Sequence, residues 1–185
     1  MPGVSSFLKK FESAPTRLLR LSAEGKTEKV REMVDKPGVE YARLLGARDS
    51  QGRTPFFLAV VNGHQEIARM LFILGSDPLD TNAAGQTPLQ ALLAIPEPTE
   101  DHLRLVVFLR GIARWQTLHP EDIANPEVRK KLERQYFPIT KDSPTAVNVV
   151  ARAKNLPEDI EGLIKGYGRR KTARKTTRRQ TRRRR

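Results

Sequence analysis

No cysteine occurs among the 185 residues, which excludes disulfides, thiolate metal ligands and cysteine nucleophiles. A fold that needs no such staples points to an intracellular home. Aromatic residues make up only 6% of the chain, so its core is small. Long apolar stretches are also missing. The longest run is Phe56 to Val61, far short of the roughly 20 residues that span a bilayer, so no membrane partner is expected. The three histidines, His64, His102 and His119, show no metal-ligating spacing such as HExxH and have no Cys to share a site. Gly25-Lys26-Thr27 imitates the end of a phosphate-binding loop, but Arg20 stands where that motif needs its first Gly. The expectation is a non-enzymatic protein with no cofactor and no metal.

Acid is missing from one segment above all. Residues 169–185 contain 11 Lys or Arg and no Asp or Glu, which leaves 23 of the 34 basic residues against all 21 acids in residues 1–168. The net charge of +13 therefore reduces to about +2 for the body, and the excess sits in RRKTARKTTRRQTRRRR. With no apolar residue larger than Ala173, this segment has no means of folding alone and reads as a disordered arm. Its candidate nucleic-acid-binding residues are Arg169, Arg170, Lys171, Arg174, Lys175, Arg178, Arg179, Arg182, Arg183, Arg184 and Arg185. Guanidinium forks suit phosphate, and counterion release gives strong, salt-sensitive binding. The segment has no aromatic residue to stack on bases, so contact with the RNA or DNA backbone is expected and sequence readout is not. The same run also fits an import receptor that reads a nuclear or nucleolar localisation signal. At the other end, MPGVSSFLKKFESAPTRLLR is basic and free of acid until Glu12, a pattern shared by a mitochondrial presequence and a plain amphipathic first helix.

What is present in quantity is repetition. Thr54-Pro55 and Thr87-Pro88 lie 33 residues apart, each with a Gly two positions before the Thr and an apolar run behind the Pro. Residues 49–78, DSQGRTPFFLAVVNGHQEIARMLFILGSDP, order their signals as a turn, a helix, a break and a second helix. Gly52 supplies positive φ in the turn, Thr54 caps the first helix, and Pro55 takes a first-turn position where its missing N–H costs nothing. Gly63-His64 breaks the chain. Ile67, Met70, Leu71 and Leu74 then recur at helical spacing, and Gly75 closes the second helix.

This stretch resembles an ankyrin repeat over its whole length, and the 33-residue interval matches that family's period. The following unit, residues 82–111, starts in register but reaches its closing Gly111 three residues late. Leu103, Val106 and Val107 restore the pattern of Ile67, Met70 and Leu71, so the extra residues fall around Pro96-Glu97-Pro98. Upstream, SAEGKTEKVREMVDKPG resembles the second half of a capping unit, with about five additional residues in Gly38 to Gly46. Pro126 to Tyr136 reads as a helix with Val128, Leu132 and Tyr136 four apart, and residues 143–167 as a further, degenerate helix pair. One departure from the family stands out. The His usually found two positions after its Pro, which ties neighbouring repeats together, is replaced by Phe57 and Gln90.

The resemblance implies an all-α ankyrin solenoid with helical caps and a disordered basic tail. Its parts are an N-terminal segment at 1–16, the repeat domain at 17–111, a helical extension at 112–167 and the arm at 168–185. It also implies a protein partner on the concave face, met by Ser50, Gln51, Arg53, Val61 and Asn62 in one repeat and by Ala83, Ala84, Gln86, Ala94 and Ile95 in the next. The combined expectation is an interaction scaffold whose arm binds RNA within a ribonucleoprotein, a mitochondrial ribosome among them. The alternative is a nuclear adaptor whose arm is a localisation signal.

Overall fold

The computed structural model describes residues 12–118 and 122–136, and every regular element among them is helical. Eight α-helices follow one another. They are α1 (Ala14–Glu24), α2 (Thr27–Val34), α3 (Tyr41–Leu45), α4 (Pro55–Val61), α5 (Gln65–Ile73), α6 (Pro88–Leu93), α7 (Glu100–Leu118) and, after a 3-10 turn at Asp122–Ala124, α8 (Pro126–Tyr136). Three helix pairs, α1/α2, α4/α5 and α6/α7, stack side by side. The first helices form one layer, with α1 against α4 and α4 against α6, and the second helices α2, α5 and α7 form the other. Three stacked pairs are what such repeats need to bury a continuous core.

Local chemistry starts and ends these helices. Ser13, Thr54 and Thr87 sit in extended conformation, accept the backbone N–H of Thr16, Phe57 and Gln90 respectively, and precede a proline in the first turn. Gln90 completes a capping box by accepting the Thr87 N–H at 2.9 Å. At the end of α4, Gly63 at φ +75° lets its own N–H reach the Val60 carbonyl and the His64 N–H reach that of Ala59, so the chain turns directly into α5.

The six-residue apolar run is the middle helix of its layer. Neighbours surround α4 on both sides and behind, and Pro55 through Val60 are all buried. In α6, which has a first-helix neighbour on one side only among the described residues, just Pro88 and Leu92 are buried. In α5 the buried stripe is Ile67, Ala68, Leu71 and Phe72, while Met70 and Leu74 are half-exposed.

The extra residues between the first and second units form α3, which packs on α1. Those of the third unit lengthen the link between its two helices, residues 94–99 against 62–64 in the unit before. Gly111 does not close the second helix. It lies inside α7, which continues to Leu118. A mid-helix Gly costs about 1 kcal/mol, and the burial of Phe108, Leu109 and Ile112 around it outweighs that cost. This helix is buried on a broader face than expected, with Leu105 and Phe108 in the core and Val107 half-exposed, because α8 packs against both α7 and α5.

Helix α8 falls where its spacing predicts, with Leu132 buried. It is anchored by a buried cation: Arg129 donates to the carbonyls of Phe72 at 2.7 Å, Ser76 at 2.8 Å and Ile123 at 2.6 Å. Burial pushes its pKa below the ordinary arginine value. The half-buried pair Arg69–Glu133, at 2.7 Å, adds a second link from α5 to α8.

Candidate protein-binding surface

The turns before α4 and α6 repeat at atomic detail. The Asp49 side chain accepts the backbone N–H of Gln51 and Arg53, each at 2.9 Å, and 33 residues later Asn82 accepts those of Ala84 at 3.0 Å and Gln86 at 2.9 Å. Both turns pass through a left-handed glycine, Gly52 at φ +72° and Gly85 at φ +74°. Asp49 also holds the Arg53 guanidinium at 2.7 Å. Burial alone would raise the pKa of Asp49, but hydrogen bonds from the Arg53 side chain and from the backbone N–H of Arg53 and Gln51 bring it below the usual value.

The tips are locked to each other. The Ala83 N–H donates to the Gln51 carbonyl at 2.9 Å, and the backbones approach so closely that a Cβ on Gly52 would lie 2.7 Å from the Ala83 nitrogen. Arg48 spans the same junction, donating to the Gly52 carbonyl, the Thr81 carbonyl and the Asp80 carboxylate at 2.8 to 2.9 Å. The result is a rim of two turns, joined to each other by hydrogen bonds, beside the first-helix layer.

Residues 51–83 match the family model described as Ankyrin repeat. The chain carries an ankyrin repeat. The match begins at the tip of the second unit and ends at the tip of the third, so it spans α4, α5 and the locked junction. The ankyrin repeat supports a role in protein–protein interaction. Comparison with curated protein sequences gives no match.

On this ankyrin framework the sequence-predicted residues fall into two groups. Ser50, Gln51, Ala83, Ala84 and Gln86 are exposed along the rim, and Ala94 is exposed at the end of α6, with Val61 and Ile95 half-exposed at the corresponding helix ends. Arg53 and Asn62 are less available than their positions suggest. Arg53 is held by Asp49, and the Asn62 amide turns back to donate to the Leu58 carbonyl at 2.8 Å.

Sequence reasoning missed Arg48 and Asp80, whose pairing across two turns leaves no local signature. His64 fits the structural histidine that the family resemblance implies for the turn between the helices, but its bonding partner and the tie made by His102 were not legible in the sequence. His64 bonds to the Ala23 carbonyl at 3.0 Å and His102 to the Val61 carbonyl at 3.2 Å, each across a junction between units. Gly25-Lys26-Thr27 proves to be the turn between α1 and α2, with Gly25 at φ +70°.

Among the described residues no group of three or more His, Asp or Glu could hold a metal ion, and no helix is long and apolar enough to cross a membrane. The candidate nucleic-acid-binding residues of 169–185, His119 and the degenerate helix pair of 143–167 lie outside the described residues.

Proposed function

We propose that this protein is a bipartite adaptor: the rim and first helices of its repeats hold a protein partner, and the arginine-rich arm contacts RNA backbone within a ribonucleoprotein. The observation that carries this reading is the division of charge, about +2 over residues 1–168 against 11 cations and no acid in 169–185. A nearly neutral body is suited to selective protein contact, while the arm has the composition for sequence-independent phosphate contact. Engagement of 6–10 phosphates gives an affinity that falls by about 10³ or more between 50 and 200 mM salt.

The test compares the full chain with one ending at Gly168, using structural RNA at physiological salt and along a salt series. The full chain binds with a steep salt slope and the truncated chain does not; equal binding by both removes the RNA assignment. Purification from native cells with and without nuclease then separates the surfaces. Partners held by the rim survive nuclease and are lost when Gln51 and Ala84 are both replaced by Arg. The second reading, a nuclear adaptor, is favoured by the short Lys/Arg clusters of the arm, which suit an import receptor. It is selected if removing the arm abolishes nuclear entry while the full chain shows no RNA affinity.

A further inference from the structure

His64 and His102 make the same long-range contact. Each Nε2 donates to a carbonyl 41 residues earlier, across the junction between successive units. Each ring also lies over the glycine that follows the contacted helix: a Cβ on Gly25 would come within 2.6 Å of His64, and one on Gly63 within 3.0 Å of His102.

The two differ in what holds the other ring nitrogen. His64 stands at the N-cap of α5 and makes no side-chain cap bond. His102 stands three residues into α7, after Thr99. Its Nδ1 accepts the Thr99 backbone N–H at 3.0 Å and lies 3.1 Å from the Thr99 hydroxyl, while that hydroxyl accepts the His102 N–H at 3.3 Å. This is a capping box with imidazole in the place of Glu or Gln. Thr87 and Gln90 build the ordinary version one helix earlier.

The arrangement specifies a protonation state. Nδ1 must offer a lone pair to Thr99 while Nε2 carries a proton to Val61, and only one neutral tautomer does both. An imidazolium would set a second N–H against that of Thr99, at a helix N-terminus whose dipole also opposes positive charge. Among the groups that face the ring, α4 brings only the Val61 carbonyl and no titratable side chain, α5 brings His64, and α7 itself brings Asp101, whose carboxylate is held by Gln65 of α5. Desolvation and His64 disfavour the charged ring, Val61 and Asp101 favour it, and the balance holds the pKa below the ordinary 6.5.

We propose that His102 is a proton-operated latch between the second and third units. Neutral, it closes the cap of α7 and ties that helix to the end of α4. Protonated, it releases Thr99 and loosens the junction beside Val61 and Asn62. The latch belongs to the stack itself and does not depend on which partner the rim holds. Because the closed form favours the neutral ring, the open chain takes up the proton first. The contribution of the latch is whole above pH 6.5 and is lost as the pH falls below it.

The test uses the full chain in solution. The His102 ring, followed by NMR, titrates below 6.5. After correction for intrinsic exchange, the Thr99 and His102 amides exchange about five-fold faster well below the ring's measured pKa than at about pH 7.5, the factor expected from losing a helix cap. His102→Gln, which copies Gln90 and accepts without titrating, removes this response. A ring that titrates at or above 6.5, or a His102→Gln protein with the unchanged response, overturns the proposal. The wild-type ring titration needs no variant and decides the matter even if the substitution disturbs folding.

Discussion

The guanidinium of Arg129 lies over the ring of Phe72, 4.9 Å from its centroid, and donates to the carbonyl of the same residue at 2.7 Å. One side chain of α8 thus engages both the face of a core aromatic and the C-terminal end of α5, where carbonyls lack intrahelical partners and the dipole favours a cation. Its third and fourth contacts, Ser76 and Ile123, complete a site with no carboxylate bonded to it.

Removing this cation leaves the Ser76 and Ile123 carbonyls without a donor, while the Phe72 carbonyl keeps the Gly75 N–H at 3.1 Å. Arg129→Ala is expected to destabilise the protein by roughly 3 kcal/mol, since each buried acceptor left unmet carries a desolvation penalty. Arg129→Lys recovers only part of that, because an ammonium lacks the planar fork that reaches Phe72, Ser76 and Ile123 together. Urea unfolding of the three proteins measures the order, with Ala least stable and wild type most.

Gly52 and Gly85 share a left-handed backbone but not their surroundings. A Cβ at Gly85 meets nothing within 4 Å, whereas one at Gly52 would collide with the Ala83 backbone. Gly85→Ala is expected to cost about 1 kcal/mol from backbone strain alone. Gly52→Ala costs more, about 2 to 3 kcal/mol, because the two tips must separate. Equal melting temperatures for the two variants would show that the tips are not locked.

Asp49 can be dissected with its own repeat partner. Asp49→Asn keeps the acceptor for the Gln51 and Arg53 N–H groups, as Asn82 does, and loses only the charge on Arg53. That costs about 0.5 kcal/mol, whereas Asp49→Ala also abandons the turn and costs about 1 to 2 kcal/mol. Because the folded state depresses this pKa below 3.8, the charge-dependent part is present above pH 3.8 and is lost as the pH falls through the folded value. Acid unfolding curves should therefore show a steeper loss for wild type than for Asp49→Asn.

Phe108 meets Phe72 edge to face, centroids 5.2 Å apart, and both rings are fully buried. Phe108→Ala is expected to cost about 3 to 5 kcal/mol through cavity formation and the lost ring pair. Since Phe72 also receives Arg129, the double variant Phe108→Ala/Arg129→Ala should be non-additive, which a double-mutant cycle in urea reads directly.

The repeat units were legible in the chain wherever their chemistry is local. Gly52, Thr54, Pro55 and Gly63 each act within one turn of backbone, through positive φ, a cap or a missing N–H, so their identity alone announces the structure around them. Burial of the whole of Pro55 to Val60 was not legible, since the number of covered faces depends on which helices pack around α4. The rim was legible as a set of positions, but Arg53 and Asn62 are occupied by bonds that spacing alone does not reveal.

By itself the sequence determined the all-α repeat architecture, the place of each inserted segment and the separation of charge between body and arm, because these depend on composition and on contacts within a few residues. Only the tertiary structure decided that α7 runs through Gly111, that Arg129 is buried without a carboxylate bonded to it, and that His64 and His102 bond to the Ala23 and Val61 carbonyls across the junctions between units. The histidine and arginine bonds reach partners 41 to 57 residues away. Burial against a distant helix can exceed the local cost of a glycine or a desolvated charge, and no nearby pattern records which distant helix that will be.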